Sequence, residues 1–158
     1  MIEVTMRTAG ILPPRGLLIA LATQVPLLAA TGLRRPTVPE LAIGIGLLLL
    51  GCVLNVWAER LFRRDDVGVC PFTRVPVLVE RGPYRVTRNP MYVGLVALNL
   101  SASFLTGVLA NIWSSVAFAL WLHYAFVLHE EAYLQREQGA AFSEYARHVP
   151  RWLPLIRV

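Results

Sequence analysis

The chain has 158 residues, 56% of them hydrophobic, with a mean hydropathy of +0.54 and a formal net charge of +5. That is one domain's worth of sequence and too apolar for a soluble domain of this size, so a soluble enzyme is excluded and an integral membrane protein is expected. All 15 basic residues are arginine, and the two cysteines, Cys52 in an apolar run and Cys70 among charges, indicate no disulfide framework.

Met1 to Gly10 carries Glu3 and Arg7 and leads to no small-residue cleavage site, so the first apolar run is expected to be retained. That run, 16–32, is just long enough to span a bilayer core, which takes about 20 apolar residues as helix. Pro26 within it predicts a kink. The second span, 41–58, is the clearest, and Gly44-Ile45-Gly46 inside it reads as close helix packing, because a dinucleotide fingerprint must follow a strand.

Residues 63–90 mix proline, glycine and charge without helical period and read as a long loop, which in a compact protein is usually functional. Its apolar piece Val75-Pro76-Val77-Leu78-Val79 has something to bury, so the loop is expected to fold back onto the membrane domain. Spans three and four, 91–106 and 112–129, form a hairpin around Gly107, and 130–158 is a tail. Leu134, Phe142, Tyr145 and Val149 share a helical face there, and Gly139 is expected to divide the tail into two short helices. The fold class is thus all-α integral membrane, a single domain with about four transmembrane helices, a folded loop and short C-terminal helices.

Every arginine except Arg34 and Arg35 lies in the N-terminal arm, the 63–90 region with its flank, or the tail. The positive-inside rule then places both termini and the loop in the cytoplasm, with a bacterial or archaeal inner membrane as the expected location. Trp113 beside the hairpin turn suits the opposite interface.

The stretch from Arg81 to Gly94 ends the basic loop and opens the third span. Asn89 is a favoured N-cap type and Pro90 suits the first helical position, so unpaired N–H groups should face the loop and attract anions. Arginines and tyrosines there could hold a charged, ring-bearing cofactor or serve as a plain interfacial anchor. His123 lies inside the fourth span, where an ionisable group marks a functional site by default. Glu130, seven residues on, falls on nearly the same face, so the two could line one groove; a neutral His123 bonded to Asn99 or a hydroxyl is the structural alternative. Glu130 and Glu131 at a helix C-terminal end want cations nearby.

His129-Glu130-Glu131-Ala132-Tyr133 supplies no second histidine at the zinc-protease spacing, and no nucleophile elbow, phosphate loop or Cys-x-x-Cys is present, so no metal is expected. Nucleic acid is not expected either; the partners are membrane lipids and a lipophilic or small-molecule acceptor. S-adenosylmethionine, with ammonium, sulfonium and carboxylate, would match both the acidic pair and the helix N-terminus.

Gly82-Pro83-Tyr84, then Arg88 to Gly94, followed by Glu130-Glu131, Leu134, Gly139, Phe142, Tyr145 and Val149 to Pro154, resembles the isoprenylcysteine carboxyl methyltransferase and phospholipid methyltransferase superfamily over about residues 75–155. The resemblance implies an S-adenosylmethionine-dependent membrane methyltransferase. Carried over, Pro76, Val77, Leu78 and Val79 would wall the cofactor, Tyr84 would contact it, and Asn89, Pro90, Met91, Tyr92 and Glu130 would hold it. Arg88, Glu131 and His123 are the candidate catalytic residues, and His123, His129 and Glu131 are the nearest bases if the nucleophile arrives protonated. Two departures stand out. Asn89 replaces the family's usual histidine, and Phe126 replaces an arginine that eukaryotic carboxyl methyltransferases use for the substrate carboxylate. With no cation between Ala117 and Leu128, a neutral thiol or amine is the expected acceptor rather than a carboxylate, unless Arg88 or Arg151 reaches in. The alternatives are a non-catalytic transport or scaffold protein that keeps the fold and, less well matched, a nicotinamide-dependent membrane reductase.

Overall fold

The structure, a computed structural model, describes residues 12–32, 34–64 and 78–153. Helices α1 (Pro13–Ala22) and α2 (Val25–Thr31) make a broken first rod; α3 (Val38–Arg64) and α4 (Pro90–Leu105) follow, the latter preceded by a 3-10 turn at Gly82–Arg85. After a 3-10 turn at Leu109–Asn111 come α5 (Ile112–Leu122), a π-helical turn at His123–Val127, α6 (Leu128–Gln138) and α7 (Ala140–His148). The described residues contain no strand.

Pro26 acts three residues ahead of itself. Its ring has no N–H and clashes with the carbonyl four residues back, that of Ala22. The helix therefore breaks at Thr23-Gln24, where Thr23 Oγ1 turns back to the Ala20 carbonyl at 2.7 Å. The break swings Gln24 inward, and its Nε2 lies 2.9 Å from Ser114 Oγ, 3.2 Å from Asn99 O and 3.3 Å from Asn99 Oδ1.

A reciprocal capping box starts α3: Glu40 Oε2 accepts from Thr37 N at 2.7 Å and Glu40 N approaches Thr37 Oγ1 at 3.5 Å. The helix then runs 27 residues, about 40 Å, enough to cross a bilayer core. Its main partner is α4, and backbone approach decides that packing. A Cβ on Gly51 would come 2.8 Å from the Gly94 carbonyl and 2.7 Å from Leu98, and one on Gly94 would sit 2.3 Å from Asn55 Nδ2. Of the glycines marked in the sequence, Gly44 packs on Leu105 but Gly46 meets nothing within 4 Å.

Among the described residues three helices are long and apolar enough to cross a membrane: Pro13–Thr31, Val38–Leu61 and Leu109–Gln138, the last a continuous rod of α5, the π turn and α6. The expected third span, α4, is apolar but has only 16 residues. Arg34 clasps the hairpin end, donating from Nε to the Gly107 carbonyl at 2.9 Å and pairing with Glu40.

The core has three centres. Ala20, Tyr92, Leu95, Phe118, Leu122, Phe126 and Val127 join α1, α4 and the long rod. Ala58 and Leu61 of α3 meet Val79 and Tyr84 of the loop, while Leu78 packs with Phe142, Tyr145 and Val149 of the tail. Adjacent residues Leu78 and Val79 thus bind the loop to α7 on one side and to α3 on the other. Gly139, at φ +51°, divides α6 from α7 and lets α7 fold its apolar face onto the loop.

Candidate functional site

The start of α4 is laced to the tail by backbone and side-chain bonds. Arg88 N donates to the Pro150 carbonyl at 2.9 Å, and the Arg151 carbonyl accepts from Asn89 Nδ2 at 2.9 Å and from Thr87 Oγ1 at 3.1 Å. Asn89 does occupy the N-cap position, yet its side chain makes no cap bond and instead donates from Nδ2 to the Arg151 carbonyl. The helical ladder begins with Val93 N to Asn89 O at 3.0 Å, which leaves the N–H groups of Met91 and Tyr92 ahead of it. Pro90 is fully buried and Met91 packs on the cluster around Tyr84.

Tyr92 turns toward α6 and donates its hydroxyl to Glu130 Oε1 at 2.5 Å. Next to it, Glu131 Oε2 takes Arg151 Nη2 at 2.8 Å, Arg151 Nε at 3.0 Å and Arg88 Nη1 at 3.2 Å. Glu131 is buried and Arg88 mostly so, their side chains 10% and 11% exposed. Burial pulls the Arg88 guanidinium below its usual value, and the Glu131 charge pulls it back up. Arg88 also lies 5.9 Å over the Phe142 ring. Two cations and one carboxylate leave a positive excess here, answered on the adjoining residue by Glu130. Two polar atoms of this cluster stay unpaired, Arg88 Nε and Glu131 Oε1. One is a donor and the other an acceptor, the two kinds of group that a zwitterionic head group would complement.

Tyr84 and Tyr145 close the loop side. The Tyr145 hydroxyl donates to the Tyr84 carbonyl at 2.7 Å, and burial raises both phenols well above their ordinary value. A groove of about 490 Å3 opens beside Tyr145, between Glu80 and Arg85 of the loop and Glu144 and His148 of α7. Of the residues marked in the sequence, Tyr145 and Val149 of the tail line it, and none of the described cofactor or catalytic candidates does.

His123 and Glu130 were expected in one groove on seven-residue spacing. The π turn spans the interval between them, with the Leu128 N–H bonding the His123 carbonyl, and the wider turn breaks that spacing. The two side chains accordingly have different partners: Glu130 has Tyr92, and His123 Nδ1 accepts from Trp152 Nε1 at 3.3 Å. Asn99, the other proposed partner of His123, is bonded instead to Gln24, Ser114 and Ser115.

Arg88, Tyr92, Asn89, Pro90, Glu130 and Glu131 therefore come together, and Leu78, Val79, Tyr84 and Met91 border them, whereas Pro76, Val77 and Cys70 lie outside the described residues. Phe126 is buried in the main cluster, 6.3 Å from the Tyr92 ring. Arg88 and Arg151, the two cations that could stand in for one at Phe126, are both engaged with Glu131. Arg151, Thr87 and Trp152 were not marked as site residues. The signal for the first and last was the polar and aromatic pair directly after Pro150, at the end of the tail helix. Among the described residues no cluster of histidine, cysteine and carboxylates could hold a metal ion.

An all-helical integral membrane protein with a charged, aromatic site at one end of its helices is the class this arrangement defines. The phospholipid methyltransferase family model matches residues 39–141, and the chain belongs to that family, within the isoprenylcysteine carboxyl methyltransferase and phospholipid methyltransferase superfamily. Protein-S-isoprenylcysteine O-methyltransferase B of Arabidopsis thaliana is 33% identical over 118 residues, 72% of this chain and 58% of that protein. Protein-S-isoprenylcysteine O-methyltransferase of Schizosaccharomyces pombe is 36% identical over 83 residues, 51% of this chain and 34% of that protein. The chain thus spans about a third to somewhat over half of the length of these relatives. No solved structure matches it.

Proposed function

We propose that the protein is an S-adenosylmethionine-dependent membrane methyltransferase that acts on a lipophilic or small acceptor, a thiol, amine or carboxylate, at the cytoplasmic face. The observation that carries this reading is the convergence of Arg88 to Tyr92, Glu130-Glu131 and Arg151 on one site, with an unpaired buried donor and acceptor inside it. The names of the relatives support methyl transfer, and the isoprenyl group in those names supports a lipophilic acceptor.

The cofactor would be held by Pro76 to Val79, Tyr84, Asn89 to Tyr92 and Glu130. When bound, S-adenosylmethionine supplies an electrophilic methyl carbon. The chain's own task is to bind, to orient and to keep water out, and orientation by itself can be worth about 7 to 11 kcal/mol. Glu131, its Oε2 engaged by two guanidiniums, serves as their anchor. We place the loop and both termini in the cytoplasm and count α4 as a fourth, short span; labelling of Cys70 from the opposite side of the membrane would overturn that orientation.

Isothermal titration of S-adenosylhomocysteine into detergent-solubilised protein tests the cofactor. Transfer of tritium from labelled S-adenosylmethionine to a lipid extract tests the reaction. Binding with transfer is the expected result, and absence of binding at millimolar ligand would favour a non-catalytic scaffold.

A further inference from the structure

We propose that His123 presents its Nε2–H to an oxygen atom on the head of a lipophilic acceptor, and that Trp152 fixes the imidazole in the tautomer this requires. The inference rests on the methyltransferase reading for its reaction, not for its geometry.

An indole N–H can only donate. Trp152 Nε1 lies 3.3 Å from His123 Nδ1, so Nδ1 is the acceptor and the proton of the neutral ring sits on Nε2. In that state the ring's one basic lone pair faces Trp152, and the group it turns to a ligand is the Nε2–H donor. Nε2 has no hydrogen-bond partner among the described residues. The ring is half-exposed, flanked by Tyr124 edge-on at 4.9 Å and by Trp152 at 6.2 Å.

Position strengthens the case. His123 opens the π turn, an interruption of the kind that concentrates at functional sites, and a polar group at that depth in an apolar rod needs a partner. Trp152 follows Arg151, whose carbonyl takes Asn89 and Thr87 and whose guanidinium takes Glu131, and the indole packs on the cluster containing Tyr92. The tail segment that closes the polar site therefore also sets the tautomer of His123.

Oxygen is the matching ligand atom. Thioether and thiol sulfur are weak acceptors, and an attacking amine needs its lone pair for the methyl group. A carboxylate, carbonyl or phosphate oxygen beside the reacting atom satisfies Nε2–H without competing with attack.

The test uses full-length protein in detergent, with 15N-labelled histidine assigned through His123→Gln. In the wild type, Nδ1 should resonate as unprotonated and Nε2 as protonated at neutral pH; the reverse tautomer or an imidazolium overturns the proposal. N-acetyl-S-farnesylcysteine should move the Nε2 resonance and dodecanethiol should not; movement with neither, or equally with both, also overturns it. In the transfer assay, His123→Leu should raise the acceptor KM about threefold to tenfold with kcat held, the scale of one neutral hydrogen bond. His123→Gln keeps a donor where Nε2 stood and should restore the wild-type KM. If both variants instead lose kcat about a hundredfold at unchanged KM, His123 is a base and the donor role fails. Failure of S-adenosylhomocysteine to bind the wild type, with the Nε2 response intact, would remove the methyltransferase reading and leave this one standing.

Discussion

Arg151 grips Glu131 with two nitrogens, Nη2 at 2.8 Å and Nε at 3.0 Å, while its own carbonyl is held by Asn89 and Thr87. One residue of the tail thus joins α6 to the start of α4, and the ion pair is only 23% and 10% exposed on its two sides.

Removing Arg151 should cost more than a surface ion pair. Arg151→Met leaves Glu131 with Arg88 alone, at 3.2 Å, and a loss of about 1.5 to 3 kcal/mol is expected for charged hydrogen bonds in such a setting. Thermal melting in detergent reads the loss. Glu131→Gln combined with Arg151→Met should be less destabilised than the two single effects added together; simple additivity would show that the pair does not act as a unit.

Tyr92→Phe and Glu130→Gln should each weaken cofactor binding while leaving the protein helical and extractable. Each keeps nearly the same side-chain volume; Tyr92→Phe removes the donor of the 2.5 Å contact and Glu130→Gln removes the carboxylate charge that strengthens it. A charged hydrogen bond is worth about 1.5 to 3 kcal/mol, so Glu130→Gln should raise the S-adenosylhomocysteine dissociation constant about tenfold or more. An unchanged constant by titration calorimetry would take Glu130 out of the site.

How these residues meet was only partly legible in the sequence. Asn89-Pro90 announced a helix start, and Gly139 a break in the tail, because both depend on local backbone chemistry. The bond from Asn89 to Arg151 spans 62 positions, and no local preference encodes it. His123 and Glu130 show a different limit. Seven-residue spacing predicts one face only on a regular α-helix, and nothing in His123-Tyr124-Ala125-Phe126-Val127 announces a π turn. The first rod is similar: Pro26 told of an interruption, but that it would turn Gln24 onto Asn99 depended on α4 and α5 being there.

The α3–α4 crossing rests on Gly51 and Gly94, and one methyl group should show it. Gly51→Ala puts a Cβ 2.8 Å from the Gly94 carbonyl and 2.7 Å from Leu98, so the helices must part, at a cost of about 1 to 3 kcal/mol. Gly46→Ala is the control. It meets nothing within 4 Å and should be neutral or stabilise by about 0.5 to 1 kcal/mol through helix propensity. Equal melting temperatures for the two variants would mean that the crossing is looser than the structure has it.

Asn99 should be the most sensitive polar residue inside the helices. Its Oδ1 accepts from Ser115 Oγ at 2.6 Å, Ser114 Oγ at 3.1 Å and Gln24 Nε2 at 3.3 Å, so Asn99→Leu takes this acceptor from both serines and leaves Gln24 with Ser114 Oγ and the backbone carbonyl at position 99. Gln24→Leu removes one donor from that set and leaves both serines bonded to Asn99. Interhelical hydrogen bonds in membranes average about 0.6 kcal/mol each and reach about 1.7, and the serine hydroxyls can partly turn to backbone carbonyls. Asn99→Leu is therefore expected to cost about 1 to 3 kcal/mol and Gln24→Leu under about 1 kcal/mol. Unfolding by dodecyl sulfate titration from mild detergent measures both. If Gln24→Leu proves as costly as Asn99→Leu, the strength of the cluster lies in pinning the break between α1 and α2 rather than in the Asn99 carbonyl.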